Sequence, residues 1–447
     1  MRVLDTSTLK LYDLDISEYP PPDYAILSHT WGEEEVTYDD MCGDHEALKD
    51  RKGFQKIVNF CQKAAAAGYS YGWVDTCCID KRSSAELSEA INSMYAYYKR
   101  SEVCYIYLSD VRMSDDKPVY ELIKDSRWFT RGWTLQELIA PSFLEVFDAD
   151  WKLITPKEGV KEALSHAAGV PTFLMNPLST PTGFCVAERM SWAAKRRTTR
   201  EEDMAYCLMG LFDVHMTPIY GEGGPKAFRR LQMEIMQTSF DQTLFAWREP
   251  DSSSFGSGML AESPSDFEGS GGLSIWGPRY LSPFSMTNVG LHIRLVDATP
   301  KNPELDPETL KLGLRKGTVT AMIQCDIKDE TTGKWQGLAV YLKPVDNATV
   351  RINGSLLKAY RRIRSEIWHP VPLHISEGAP FVELLVLEDE HYKLVSRGLE
   401  ADRSRFNREF VSSNPDICER DGFESRQVQD TERDDTAMYT VSPSSSP

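Results

Sequence analysis

No C-x-x-C pair occurs anywhere in the 447 residues, and the eight histidines are dispersed. That removes the ligand spacing on which structural zinc sites are built, so no metal centre is expected. The nine cysteines are an odd number and, Cys77-Cys78 apart, are scattered, so no disulfide framework is expected either. No run of about 18 apolar residues is present, which excludes a helical membrane span of the usual kind. The opening MRVLDTSTLKLYDLD places acids inside any apolar stretch and does not read as a secretory signal. The Asn-x-Ser/Thr patterns at Asn347 and Asn353 then read as chance. Positive charge is also short: 50 Lys+Arg stand against 67 Asp+Glu, a net charge of -17. Nonspecific binding to nucleic acid or to an anionic membrane surface is disfavoured. The absences together describe a reduced, intracellular chain, placed in the cytoplasm.

What is present is globular. Hydrophobic residues make up 41% and aromatics 11%, and the length exceeds one ordinary core, so two or three domains are expected. The first third alternates buried-strand candidates with helical patterns. YAILSHTW (Tyr24 to Trp31), YGWVDTCCID (Tyr71 to Asp80), VCYIYLSDV (Val103 to Val111) and FLEVFDADW (Phe143 to Trp151) read as strands. Between them Phe54, Ile57, Val58 and Cys61 give i, i+3, i+4, i+7 spacing, with Gly68 as a helix stop. Ser83 and Glu86 form a capping box ahead of a Leu87, Ile91, Met94, Tyr98 stripe. Strand–helix alternation predicts an α/β domain with a parallel sheet over residues 1–156. Residues 157–250 read as a helical extension, with helices over Val186 to Arg197, Arg200 to Leu211 and Pro225 to Thr238. Thr199 and Glu202 suggest a further capping box. Residues 251–400 shift to β character (LHIRLVDA, TVTAMIQCDI, GLAVYLKPV, FVELLVLED). Residues 401–447, ending SPSSSP, have the composition of a disordered tail. No internal repeat is found.

In open α/β sheets ligands bind beyond the carboxyl ends of the strands, and polar residues collect at those ends here. Ser28, His29 and Trp31 follow the first strand, Asp75 and Asp80 the second, Ser109 and Asp110 the third. Singly these are weak: a strand-end Asp is commonly a turn or cap residue, and a lone His is commonly structural. The stretch SRWFTRGWTLQELIAP adds a carboxylate beside an indole. At about 100° per residue, Trp133, Gln136, Glu137 and Ala140 share one helix face. Leu135, Leu138 and Ile139 supply the apolar face, so Glu137 and Trp133 are predicted on the side the core does not need. The alternative is that Glu137 forms a structural ion pair with Arg127 or Arg131. YGEGG before a helix (Tyr220 to Gly224) lacks the Walker spacing and lysine and reads better as a turn than as a phosphate cradle. KRRTTREED (Lys195 to Asp203) reads as a solvated, self-paired charge run.

YAILSHTWG, YGWVDTCCIDK, SEAINSMYAYYKRSEVCYIYLSDV and SRWFTRGWTLQEL, in that order, resemble the HET domain of fungal heterokaryon-incompatibility proteins. MSWAAKRRTTREEDMAYCLMGLFDVHMTPIYGEGGPKAFRRLQMEI resembles the segment that usually follows it. HET domains in turn resemble TIR domains, which are flavodoxin-like α/β modules. The TIR pattern W-C-x-x-E-L falls on Trp133 to Leu138, with Thr134 at the cysteine position. The likeness implies Glu137 as the catalytic residue of an NAD glycohydrolase, with Trp133, Ser28, His29, Trp31, Asp75, Asp80 and Arg131 lining the pocket. NAD would be substrate, so no resident cofactor is implied. Nicotinamide already leaves as a neutral molecule, and one carboxylate holding the ribose and the developing oxocarbenium charge could suffice. The likeness further implies regulated cell death in a non-self response, self-association into a homo-oligomer, and an unidentified activating protein partner. A non-enzymatic scaffold that kills by recruiting an effector is the alternative left open.

Overall fold

The computed structural model describes residues 1–14, 22–114, 116–154, 159–176 and 178–249. Beyond these it describes 257–275, 282–300, 317–329, 331–352, 354–363, 365, 368–373, 379–389 and 392–393. The sequence boundaries at 156/157, 250/251 and 400/401, and the tail 401–447, lie outside the described residues. Residues Met1–His391 form one compact unit, and Tyr392–Pro447 fall in a second.

The first region is a mixed α/β layer. β1 (Arg2–Asp5) and β2 (Leu11–Asp13) form a hairpin that the sequence reading did not anticipate. β3 (Tyr24–His29), β4 (Tyr71–Trp73), β5 (Val103–Tyr107) and β6 (Leu144–Phe147) are parallel to one another. The sheet runs β2-β1-β4-β3-β5-β6, with β1 antiparallel to β4. Every residue of β3 is buried, as expected of a strand with helices on both faces. After the short α1 (Tyr38–Cys42), α2 (Lys52–Ala66) buries Phe54, Ile57, Phe60, Cys61 and Ala64. The chain leaves that helix through Gly68 at φ +94°. α3 (Ser84–Arg100) buries Ala90, Ile91, Met94, Tyr97 and Tyr98. Ser83 caps α3 by accepting from Glu86 N–H, but the Glu86 carboxylate turns to Asp80 N–H and Arg2. Cys77 and Cys78 are buried in the turn after β4, four and five residues beyond the strand's last residue, Trp73.

The helical stretch is more broken than its pattern predicts. Its elements are α6 (Val160–Ala168), α7 (Val186–Ser191), α8 (Asp203–Tyr206), α9 (Met209–Phe212) and α10 (Gly224–Thr238). The Thr199–Glu202 box is not made. Glu202 instead accepts from the N–H groups of Gly221 and Gly223 at 2.8 and 3.2 Å. Those glycines sit at φ +97° and +87°, a region other residues enter at a cost. Glu202 itself therefore supplies the anion at this helix start, which makes YGEGG a structural turn.

The β region contains β7 (Leu273–Ile275), β8 (Phe284–Thr287), β9 (Gly290–Asp297), β10 (Val319–Lys328), β11 (Trp335–Ile352), β12 (Ser355–Ile363), β13 (His369–Pro372) and β14 (Phe381–Val386). Pairings β9–β10, β10–β11, β11–β12, β12–β14 and β14–β9 close on themselves, forming a barrel. Closure removes exposed sheet edges. One apolar cluster runs without interruption from Val3 of the first sheet to Val386 of the barrel.

Candidate functional site

β3 and β5 are neighbours although β4 lies between them in sequence. At their carboxyl ends the strand connections diverge, the position at which parallel sheets open a crevice. Ser28 and His29 end β3 there. After β5, Asp110 accepts from Ser126 Oγ at 2.7 Å and from Arg127 N–H at 2.8 Å. That pins a 3₁₀ turn (Arg127–Thr130) beyond the short α4 (Val119–Ile123), and the turn delivers the chain to α5 (Thr134–Ile139).

The expectation that Glu137 lies on a face unneeded by the core is overturned. All six residues of α5 are buried, and Glu137 is 8% exposed. A helix wedged between a sheet and the helical stretch has no solvent face, whatever its amphipathic pattern. The proposed pairs with Arg127 and Arg131 are not made either. Arg127 faces Asp110, and Arg131 Nη1 donates to Thr199 Oγ1 at 3.1 Å. Glu137 Oε2 instead accepts from Ser28 Oγ at 2.5 Å, and Ser28 Oγ accepts from Trp128 Nε1 at 2.8 Å. The Tyr98 O–H nearby donates to the Leu27 carbonyl at 3.0 Å. Burial pushes Glu137 up to about 8, the Asp75 charge adds to the rise, and Ser28 opposes it.

A second group adjoins the first. His29 is buried, with Nε2 3.8 Å from Glu35 and Nδ1 3.9 Å from Asp75. Burial, then the nearby Lys56 charge, lowers its pKa below the ordinary value, so it is neutral at pH 7. Lys56 Nζ contacts both Glu35 oxygens at 2.6 Å. Burial opposes the Glu35 charge, but His29 and Lys56 hold it down to about 2. Trp31, 45% exposed, donates Nε1–H to Asp75 at 2.9 Å. The Lys81 ammonium lies 3.7 Å above the Trp31 ring, within cation–π range.

Of the residues singled out in the sequence, Ser28 and Glu137 bond directly, while His29, Trp31 and Asp75 form the adjoining group. Three stand differently. Asp80 engages Arg82 at 3.0 Å, Arg131 binds Thr199, and the Trp133 indole hydrogen-bonds Asp203. The indole on the Glu137 network is Trp128, which shares the quoted stretch but not the predicted helix face. Tyr98 lay on the α3 stripe and read as core. Arg196 was missed, being assigned to a solvated charge run. It is 5% exposed and donates to Thr134 Oγ1 at 3.0 Å and to the Arg131 carbonyl at 2.9 Å. Burial lowers its pKa to about 10, which leaves it cationic. Neighbouring backbone bonds, Arg197 N–H to Thr130 O and Gly132 N–H to Arg197 O, lay this segment along the approach to α5. Buried donors without a partner occur nearby: Gln136 Nε2 and Arg196 Nη2. Among the described residues no group of three or more His, Cys, Asp or Glu is placed to hold a metal ion. No helix of the described residues is long and apolar enough to cross a membrane.

Residues 24–122, which take in β3, β4 and β5, match the family model described as heterokaryon incompatibility protein (HET). Residues 226–269 match a second model, described only as a domain of unknown function. The chain is similar to the vegetative incompatibility protein HET-E-1 of Podospora anserina, 46% identical over 232 residues. The alignment takes in 50% of this chain but 17% of that relative. No solved structure matches the chain.

Proposed function

We propose that this chain acts in heterokaryon incompatibility as a trigger of regulated cell death, and that its chemistry is the cleavage of NAD at Glu137. The parallel order β4-β3-β5-β6 coincides with the first four strands of the flavodoxin-like order 2-1-3-4-5, which supports the TIR-like reading of the domain. The observation that carries the proposal is the Trp128–Ser28–Glu137 relay at the carboxyl ends of β3 and β5. It fixes one carboxyl at the diverging strand ends, where burial keeps it neutral until a cation approaches. A nicotinamide ring bears that cation. Its positive charge would draw the Glu137 proton off, because an opposite charge favours the ionised form. The carboxylate would then face the ribose as oxocarbenium charge develops. Since Glu137 is closed from solvent in this state, the reading requires the chain to open, by assembly or through an activating partner.

The test uses purified full-length chain and follows nicotinamide release from NAD for wild type and Glu137→Gln. A loss of about 10²–10³ in rate is expected. Equal rates would leave Glu137 a structural residue. The burial of Glu137 favours one second reading, a scaffold that kills through protein contacts. It predicts that Glu137→Gln remains lethal in a fungal host and that NAD does not fall before viability.

A further inference from the structure

The opposite end of the same sheet carries an unassigned groove. It has a volume of about 560 Å³, within the usual range for ligand sites, and runs between β6, the end of α5 and α6. Val103, Leu138, Phe143, Leu153, Leu164 and Met175 are among its lining residues. Phe143 is 61% and Leu153 42% exposed. Phe173, in the same 3₁₀ turn (Thr172–Met175) as the lining residue Met175, is 65% exposed. A small ligand in the groove would leave such rim side chains in water; a protein segment would cover them. Strand addition is curtailed, because the chain doubles back on β6: Ile154 N–H bonds Val146 O and Leu153 bridges Phe147. That leaves the helix-in-groove mode.

The rim specifies charge. Glu102 and Glu145 line the groove beside Tyr69. Burial, then Glu102, Glu145 and Asp23, raises the Tyr69 pKa above its ordinary value, so three carboxylates crowd one phenol. None of the three makes an ion pair among the described residues. The lining holds one lysine, Lys161.

We infer that this groove docks an amphipathic helix of a partner protein, its apolar face on Phe143 and Leu153 and its basic residues on Glu102 and Glu145. The inference is independent of NAD cleavage.

The probe is a fluorescent Leu/Lys amphipathic peptide of about 15 residues, titrated with full-length chain at physiological salt, beside a Leu/Glu peptide of the same pattern. The Leu/Lys helix is expected to bind and the Leu/Glu helix not to. Glu102→Lys with Glu145→Lys should weaken binding about tenfold or more, and Phe143→Ser likewise, since that side chain is already exposed. Glu46→Lys with Asp50→Lys changes net charge equally on a remote exposed surface and should leave binding unchanged. Absence of binding, equal loss in the remote variant, or indifference to Phe143→Ser would overturn the inference. So would sedimentation showing a dimer that Phe143→Ser dissolves, since the occupant would then be a second copy of this chain.

Discussion

Glu137 carries a pH dependence that can be read without any substrate. Its folded-state pKa is raised from 4.5 to about 8, chiefly by burial, so folding favours the protonated form. Between those values the folded chain holds a proton that the unfolded chain has released, and stability falls as pH rises, by roughly 1.4 kcal/mol per pH unit for one group. Below the unfolded value both states are protonated and nothing is lost; above about 8 both are ionised and the loss is complete. Glu137→Gln copies the neutral carboxyl and can still accept from Ser28. Its melting temperature is therefore expected to match wild type near pH 4.5 and to exceed it at pH 8. A variant that melts lower at both pH values would show that the carboxylate is ionised and stabilising in the folded chain. Residue type at this position was legible in the sequence, but burial was not. Helical periodicity assigns Glu137 to a polar face, and only the tertiary wedge between sheet and helical stretch buries that face as well. Arg196 was misread for the same reason: a run of charges looks solvated until the chain around it is placed.

Elements were more legible than their partners. The four parallel strands fall within the apolar runs that announce them, because a strand covered on both faces is built mostly of apolar residues. The hairpin Arg2–Asp13 was not, since its four-residue and three-residue strands are too short to show a period. The helices between 186 and 212 were predicted as two and are three short turns, because their polar side chains bond to loops in place of continuing the helix. Gly210 fixes how one of them meets α3. A Cβ built there would overlap Tyr95 Cβ and stand 2.5 Å from the ring atom Cγ, so α9 touches α3 backbone to side chain. Gly210→Ala gains helix propensity, yet the overlap should dominate, costing about 1–3 kcal/mol. Chemical denaturation with an unchanged m-value would measure it. A neutral or stabilising result would mean that α9 can move away from Tyr95 freely and that the close approach has no structural weight.

At the scale of the whole described fold, the sheet domain and the barrel share one core, and a buried arginine ties the two through the segment between them. Arg362, on β12, is 3% exposed. It donates to the carbonyls of Phe245 and Trp247 at 3.1 and 2.7 Å and lies 4.1 Å over the Trp247 ring. Its backbone pairs with Ser257 in both directions at 2.8 and 3.0 Å. Those carbonyls belong to the stretch that follows α10, whose Gln232 clamps Ala261 through both amide atoms at 2.8 and 3.0 Å. Met in place of Arg362 keeps much of the volume and removes the donors, leaving two buried carbonyls unanswered. An unsatisfied buried polar group costs about 1–3 kcal/mol, so Arg362→Met should lose roughly 2–5 kcal/mol, discounted for the desolvation the buried charge no longer requires. If the continuous core makes Met1–His391 a single cooperative unit, the loss appears everywhere at once. Tryptophan fluorescence, which senses Trp73 and Trp128 in the sheet domain together with Trp247 and Trp335 beyond it, and far-ultraviolet dichroism should then shift together to a lower temperature. Two separated transitions in the variant, with the sheet domain melting at its original temperature, would mean that the barrel folds independently and that the shared core is a docked interface.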